Sequence, residues 1–347
     1  MTPQPADPGF FVWGLGQMGS GVARELIRRG WHPTGAVSHQ VGEDIGGVLG
    51  LDRIGLEVAA EPPSGLSDST QLCVIATNSH VEQCLPQILW AVEHGLDVIC
   101  SAEQLAYPWE SEPELSAQID RAARRNDVSV LGTGINPGFI MDVLPICLSA
   151  ASNGVERLEI RRVNDLSPFG QSVHDSFGVG LALAEFEAAE KRDEIAGHVG
   201  FPESIAMISA ALGLSIDSVV ESKTPIVSTV ARRLRDRVLP AGVVVGCRQV
   251  ARAYADGVLR IVMDHPQQVD PAAEATETGD FIEIFGNPNI SMRSSPEIPG
   301  GTGTIAVMAN CAAQLRGARA GLLTMIDLAL PRFARAGAFQ RSDALIH

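Results

Sequence analysis

Phe10-Phe11-Val12-Trp13-Gly14-Leu15-Gly16-Gln17-Met18-Gly19 is the stretch on which the fold turns. Four apolar residues read as a buried strand, and the glycines that follow fall at G-x-G-x-x-G spacing. Met18, Val22, Leu26 and Ile27 then recur at helical spacing, which lays the apolar side of a helix back on the sheet. Strand, glycine turn and amphipathic helix in this order separate a dinucleotide-binding fingerprint from a chance glycine triplet. Gly14 permits the tight turn, Gly16 lets a pyrophosphate approach the backbone, and Gly19 lets the helix sit close to the strand. The helix start at Gln17 and Met18 offers unpaired N–H groups and a partial positive charge to phosphate. Gly14, Gly16, Gln17, Met18 and Gly19 are therefore the expected phosphate-facing residues.

Outward from this turn, the first 135 residues alternate apolar runs with helical patterns. Thr34–Ser38, Leu72–Ala76, Asp97–Cys100 and Val128–Leu131 read as strands; Val81–His94 and Glu112–Arg125 read as helices. This alternation predicts an α/β fold with a Rossmann-type doubly wound parallel sheet. Ligands in such sheets sit beyond the carboxyl ends of the strands, which groups Thr77, Glu103 and the Gly134–Gly138 turn. From about residue 141 the rhythm changes. Helical patterns at Asp142–Ala151, Leu181–Ala189 and Phe201–Leu212 mix with strand patterns at Leu158–Val163, Val258–Met263 and Asp280–Phe285. The expected organisation is a dinucleotide-binding domain over 1–140, joined by a returning segment over about 304–347, and an α+β substrate and dimerisation domain over 141–303. Pro299–Gly303 reads as a loop, with a helix from Thr304 to Leu315.

Composition narrows the class. The chain has 347 residues, 45% of them hydrophobic and 19% charged, as in an ordinary globular enzyme. A formal net charge of -15 argues against nucleic acid and anionic membranes as partners. No run approaches a membrane span. Met1–Gly9 lacks the basic start and apolar core of a secretory signal and reads as a frayed tail. The six cysteines are irregularly spaced, without a C-x-x-C pair, which fits buried free thiols in a reducing cytoplasm. No pair of histidines has ligand spacing with a carboxylate, so no metal is expected.

The adenosine end bears on the choice of cofactor. An acidic residue at the end of the second strand normally binds the ribose hydroxyls of NAD. Here the position falls in Val37-Ser38-His39-Gln40, with no carboxylate. Ser38 and His39 remove the repulsion against a 2′-phosphate and are candidates to donate hydrogen bonds to it, and Arg53 is the nearest arginine able to fold towards it. The expectation is that NADP is accepted, with NAD also used; the alternative is that Ser38 is a plain turn residue and NAD is preferred.

Four further motifs occur in order: Ser101-Ala102-Glu103-Gln104-Leu105-Ala106-Tyr107-Pro108, Gly134-Ile135-Asn136-Pro137-Gly138-Phe139, Gly197–Ser204, and Pro299-Gly300-Gly301 with Gly321–Leu328. On these the chain resembles 2,4-diaminopentanoate dehydrogenase and its relatives, the native amine dehydrogenases, a group akin in fold to dihydrodipicolinate reductase. The resemblance spans nearly the whole chain. It implies reversible oxidative deamination of an amine that need not carry an α-carboxylate. In reverse, a small ketone or aldehyde condenses with ammonia and is reduced by NAD(P)H. The family's catalytic carboxylate maps onto Glu103. The group often pairs through its sheets, so a homodimer is expected. One departure stands out: the family often has a histidine and an aspartate after the Gly-Gly pair, whereas here Gly300-Gly301 runs into Thr302-Gly303-Thr304.

Physical reading gives these residues work. A carboxylate in a water-poor crevice stabilises a developing iminium cation and accepts a proton from an ammonium. Burial raises its pKa and suits it to base chemistry. Thr77 and Asn78 are placed for the nicotinamide ribose or phosphates, and Asn136 for the ring amide. Phe139, Met141, Phe169, Phe177 and Phe201 are the candidate pocket walls. His198 stands as either a pocket group or a satisfied structural one; His174 and His265 have weaker claims. Arg161 and Arg162 are adjacent, so strand alternation sends them to opposite faces and at most one meets the cleft. Two other functions remain open at this stage: reduction of a preformed cyclic imine, and nucleotide sensing without catalysis.

Overall fold

Gly9–Trp13 forms a buried strand, β1, and Gly14 turns out of it with a φ of +91°, a conformation suited to glycine. Gln17–Arg28 follows as helix α1, whose Gly19, Val22, Ala23 and Leu26 are buried. The computed structural model describes residues 8–235 and 237–334. Among them the chain continues through β2 (His32–Val37), α2 (Ile45–Val48), β3 (Thr70–Ile75), α3 (Val81–Glu93), β4 (Asp97–Cys100), α4 (Pro113–Arg125) and β5 (Ser129–Gly132). Next come α5 (Val143–Ser149), β6 (Val155–Asp165), α6 (Gln171–Ser176), α7 (Leu183–Glu190), α8 (Phe201–Leu212) and β7 (Ser218–Val227). The remaining elements are β8 (Arg232–Leu234), β9 (Arg237–Leu239), β10 (Val244–Ala255), β11 (Val258–Gln268), β12 (Gly279–Gly286), β13 (Ile290–Ser294), α9 (Gly300–Leu315) and β14 (Gly321–Leu323). Residues 8–139 with 301–334 make one compact unit and residues 140–300 a second.

The first unit is a parallel six-stranded sheet in the order β14-β5-β4-β3-β1-β2. Chain order reverses between β1 and β3, the switch point at which such sheets open a crevice at their carboxyl ends. On one face Phe11, Cys73, Ile75, Val98 and Val130 pack against Ile88 of α3 and Ile119 of α4. On the other, α1 meets α9 so closely that a Cβ at Gly21 would lie 2.1 Å from Ile305 Cδ1.

Three local expectations are corrected. Gly9 is the first residue of β1 rather than part of a tail; residues 1–7 lie outside the described residues, as do the last 13 of the returning segment. Five cysteines are buried, but Cys147 is exposed, and all six are free. Finally, α9 begins at Gly300, four residues ahead of Thr304. Glycines usually read as a loop, but here they serve close packing. A Cβ at Gly303 would lie 2.8 Å from Ile135 Cγ1, and one at Gly301 would lie 3.2 Å from Met18 Cε.

The second unit is a mixed sheet in the order β13-β12-β6-β11-β10-β7, parallel only between β6 and β11. One face carries buried Leu158, Ile160, Ile261, Met263, Ile282 and Ile284. Helix α5 packs on β6 and β12 and against α8. Asp142 caps α5 by accepting from the Val143 N–H (2.6 Å) and ties it to α8 by accepting from the Ser204 hydroxyl (2.8 Å). Pro202 in the first turn of α8 and left-handed Gly213 after its last turn explain its bounds. The hairpin β8–β9 stands apart from this sheet.

The fingerprint glycines differ in what they tolerate. A Cβ at Gly19 would lie 1.8 Å from the Gly14 carbonyl oxygen, whereas one at Gly16 meets nothing within 4 Å. Gly19→Ala is expected to lower stability by about 1–3 kcal/mol and Gly16→Ala to stay within about 0.5 kcal/mol of the parent. Thermal melts that rank the two variants the other way contradict this packing.

Candidate active site

The exposed start of α1 follows directly from these glycines. Gly16 and Gln17 are exposed, and the space beside Gly16 is open. First-turn N–H groups have no partner within a helix, and the helix dipole adds partial positive charge. The turn is braced from β2: the Gly14 N–H donates to the Val37 carbonyl (2.8 Å) and the Leu15 N–H to Ser38 Oγ (3.2 Å). Ser38 in turn donates to Gln40 Oε1 (2.5 Å), and Gln40 Nε2 reaches the Leu15 carbonyl (3.4 Å). Gln40 was not singled out by the sequence; it and Ser38 buckle the fingerprint turn. Ser38 thus spends its only proton on Gln40, which corrects the expectation that it donates to a 2′-phosphate, while His39 is exposed. The Asp44 carboxylate accepts from the N–H groups of Gly46, Gly47, Ile54 and Gly55 and fastens the loop that carries exposed Arg53.

Beyond β3, Thr77 and Asn78 are exposed, and the Thr77 hydroxyl donates to Gln87 Oε1 (2.7 Å). Glu103 opens a short 3-10 turn, Glu103–Ala106, just after β4. Gln104 locks that turn to the end of β3: its N–H donates to the Ser79 carbonyl (3.1 Å), and its Oε1 accepts from the Val81 N–H (2.9 Å). Glu103 is half-buried. Desolvation pushes its carboxyl above the ordinary range, against opposing pulls from the Ser79 hydroxyl, its own N–H and the His80 imidazole. Ser79 is therefore a functional candidate that sequence reading passed over; its only signal was its place at the end of a core strand.

The Gly134–Gly138 turn follows β5. The Ile135 N–H donates to Thr304 Oγ1 of α9 (3.2 Å). Asn136 is half-buried, and just before it Thr133 holds a buried hydroxyl with no partner. This orphan hydroxyl, the open space at Gly16 and the α1 start all fit a dinucleotide, and the residues that would hold it belong to one unit.

The six pocket candidates do not form one cluster. Phe139 is half-buried in the first unit, and the others lie in the second. Phe177 packs with Leu166, Phe186 and Val245, and Phe169 leans on the same cluster. Met141 is buried. Phe201 and His198 do come together, and His265 joins them: ring centroids are 5.2 Å apart for His198–Phe201 and for His198–His265. Gln249 grips the His198 backbone from both sides, accepting from its N–H (2.9 Å) and donating to its carbonyl (3.1 Å). His265 Nδ1 pairs with the Arg162 carbonyl (2.7 Å), whereas His174 Nε2 meets the Leu166 carbonyl (2.9 Å) within a buried turn.

Arg161 and Arg162 point to opposite faces. Arg161 is exposed beside Asp264, and Arg162 is buried, paired with Asp280 and donating to the Ile298 carbonyl (2.6 Å). Burial and the Arg162 guanidinium push the His198 imidazole down to about 3. Burial, His198 and Arg162 hold His265 well below its usual range. Both rings are neutral at pH 7, and the guanidinium is neutralised by Asp280. Among the described residues no group of three or more His, Cys, Asp or Glu could hold a metal ion, and no helix is long and apolar enough to cross a membrane.

Known proteins share both the sequence and the fold. Residues 139–343 match the 2,4-diaminopentanoate dehydrogenase C-terminal domain. A 2,4-diaminopentanoate dehydrogenase from Acetoanaerobium sticklandii is 42% identical over 334 residues, covering 92% of this chain and 93% of that protein. An amine dehydrogenase from Streptomyces virginiae is 26% identical over 276 residues, 75% of each chain. The structure of an amine dehydrogenase from Mycobacterium smegmatis shares the fold, with a TM-score of 0.82 at 24% identity over 95% of this chain and 98% of that one. The chain belongs to the 2,4-diaminopentanoate dehydrogenase family.

Proposed function

We propose that the protein is an NAD(P)-dependent amine dehydrogenase in which Glu103 is the catalytic carboxylate. The observation that carries the reading is Glu103 itself: half-buried, fixed at the carboxyl end of a parallel sheet, and raised in pKa. In this reading Gly14, Gly16, Gln17, Met18 and Gly19 hold the pyrophosphate of the cofactor, with Thr77, Asn78 and Asn136 toward its nicotinamide end. The bound cofactor supplies the hydride acceptor.

Glu103 then has two tasks. It removes a proton from the substrate ammonium, so that the nitrogen lone pair assists loss of hydride from carbon. Its negative charge stabilises the iminium cation that results, in a setting where little water competes. In reverse it takes a proton as ammonia adds to a ketone or aldehyde. A raised pKa brings the carboxyl closer to working pH, where proton transfer in both directions is efficient. Ser79 positions it.

In this reading the amine substrate need not carry an α-carboxylate, as the family resemblance implies. The A. sticklandii relative carries 2,4-diaminopentanoate in its name, so that diamine belongs among the substrates to try alongside simple amines. For the cofactor, the Ser38–Gln40 turn has no carboxylate to repel a 2′-phosphate, which supports acceptance of NADP with NAD also used.

With small ketones or aldehydes, NAD(P)H oxidation is expected only when ammonia is present, and Glu103→Gln is expected to lower kcat by about 10²–10⁴-fold with unchanged cofactor affinity. Deamination by the parent enzyme rises with pH as Glu103 loses its proton, through an apparent pKa above the ordinary glutamate range, and Glu103→Gln abolishes that limb. Oxidation independent of ammonia, or near-normal turnover in the variant, overturns the reading. For the cofactors, kcat/KM values for NADP and NAD are expected within about tenfold of one another, and a preference for NAD of about a hundredfold contradicts the assignment.

A further inference from the structure

A carboxylate that takes a proton in every turnover must also give it up. Oxidative deamination converts an ammonium, the oxidised nicotinamide and water into a carbonyl, ammonium, NAD(P)H and one proton. In the proposed function Glu103, which is half-buried, takes the first proton. Desolvation holds that proton on the carboxyl, because burial disfavours the ionised form. The way from Glu103 to water is therefore part of the chemistry.

An exposed imidazole stands beside this carboxyl. Ser79 and His80 lie between β3 and α3, and Gln104, the residue after Glu103, clasps the chain on both sides of His80. Its N–H donates to the Ser79 carbonyl (3.1 Å), and its Oε1 accepts from the Val81 N–H (2.9 Å). Gln104 Nε2 donates to Glu112 Oε1, just ahead of α4 (3.1 Å). The Glu103 turn and His80 are thus fastened to one another. Glu103 and Ser79 are half-buried and His80 is exposed, so the three residues step outward to solvent. After desolvation, the influences on the Glu103 carboxyl are a hydrogen bond from the Ser79 hydroxyl, its own N–H and the nearby His80 imidazole.

Helix capping does not account for His80. It occupies the N-cap of α3, where Ser, Thr, Asp or Asn would bond first-turn N–H groups, yet its side chain makes no capping hydrogen bond. The Cys84 thiol also feels the Glu103 charge, but it is fully buried and opens no path to water. The Glu112 carboxylate is engaged by Gln104.

We propose that His80 is the proton shuttle between Glu103 and water. The assignment rests on the amine dehydrogenase reading. After hydride has left the substrate, the Glu103 O–H bond breaks as an N–H bond forms on the His80 imidazole, with the Ser79 hydroxyl placed to bridge them. The imidazolium then gives its proton to water, and Glu103 is again a carboxylate. No electrons move in this step. In reductive amination the same groups carry a proton inward. Imidazole suits the task, since it serves as a proton shuttle near neutral pH.

The test is stopped-flow deamination of 2,4-diaminopentanoate and of simple 2-aminoalkanes in weak buffer, read by NAD(P)H absorbance and by a pH-indicator dye. In the parent protein, proton release is expected to keep pace with NAD(P)H formation. In His80→Ala it is expected to lag by about tenfold or more, with cofactor and amine KM values within about twofold of the parent. Added imidazole is expected to abolish the lag in His80→Ala and to leave Glu103→Gln inactive. The melting midpoint of His80→Ala is expected to match the parent, since the side chain caps nothing. Release in step with NAD(P)H in His80→Ala, or a lag that imidazole does not relieve, overturns the shuttle. So does a large loss of cofactor affinity, which makes His80 a binding residue. A parent protein that forms no NAD(P)H from any of these amines refutes the amine dehydrogenase reading, and the shuttle with it.

Discussion

The Gly14 carbonyl oxygen lies where a side chain at residue 19 would begin, and the first unit is organised by that approach. Only with a bare α-carbon at Gly19 does α1 start hard against the end of β1. That placement leaves the first-turn N–H groups exposed beside an open space at Gly16. It also sets the turn within reach of Ser38, whose hydroxyl takes the Leu15 N–H. The position matters because β1 is the strand at which chain order reverses, so its end is where a parallel sheet offers room for a ligand. Close packing at Gly19 and an open helix start at Gly16 are here the same requirement.

Electrostatics is handled by different means in the two units. In the first, a carboxylate is left partly desolvated and fixed by a turn whose neighbour, Gln104, closes hydrogen bonds back to Ser79 and Val81. The cost of burying that charge is what raises its pKa. In the second, charge is cancelled. Arg162 is matched by Asp280, and the imidazoles of His198 and His265 are held neutral by burial and by the guanidinium beside them.

Features set by local sequence were legible. The fingerprint, the alternating strands and helices and the bounds of α8 all come from periodicity and from residues within a few positions of one another. One glycine-led inference went astray for a physical reason. Gly300–Gly303 reads as a loop from composition, yet the absence of side chains lets α9 start there against Met18 and Ile135, which is a tertiary fact. Partners distant in sequence were not legible either. Gln40 bracing Leu15, Ser79 beside Glu103, and Asp280 opposite Arg162 all depend on strand order and register, which one chain's periodicity does not specify. Phe169 and Phe177 illustrate the converse: apolar residues near a predicted site fill a core as readily as they line a pocket.

The central claim is that this chain moves a hydride between a nicotinamide and a carbon bonded to nitrogen. The most direct measurement supplies a small ketone, ammonia and NADPH or NADH deuterated at C4, and locates the label by mass spectrometry and NMR. The account requires deuterium on the carbon that bears the new amino group. Deuterium on the carbinol carbon of an alcohol, or label retained in the nicotinamide under every condition, would contradict it.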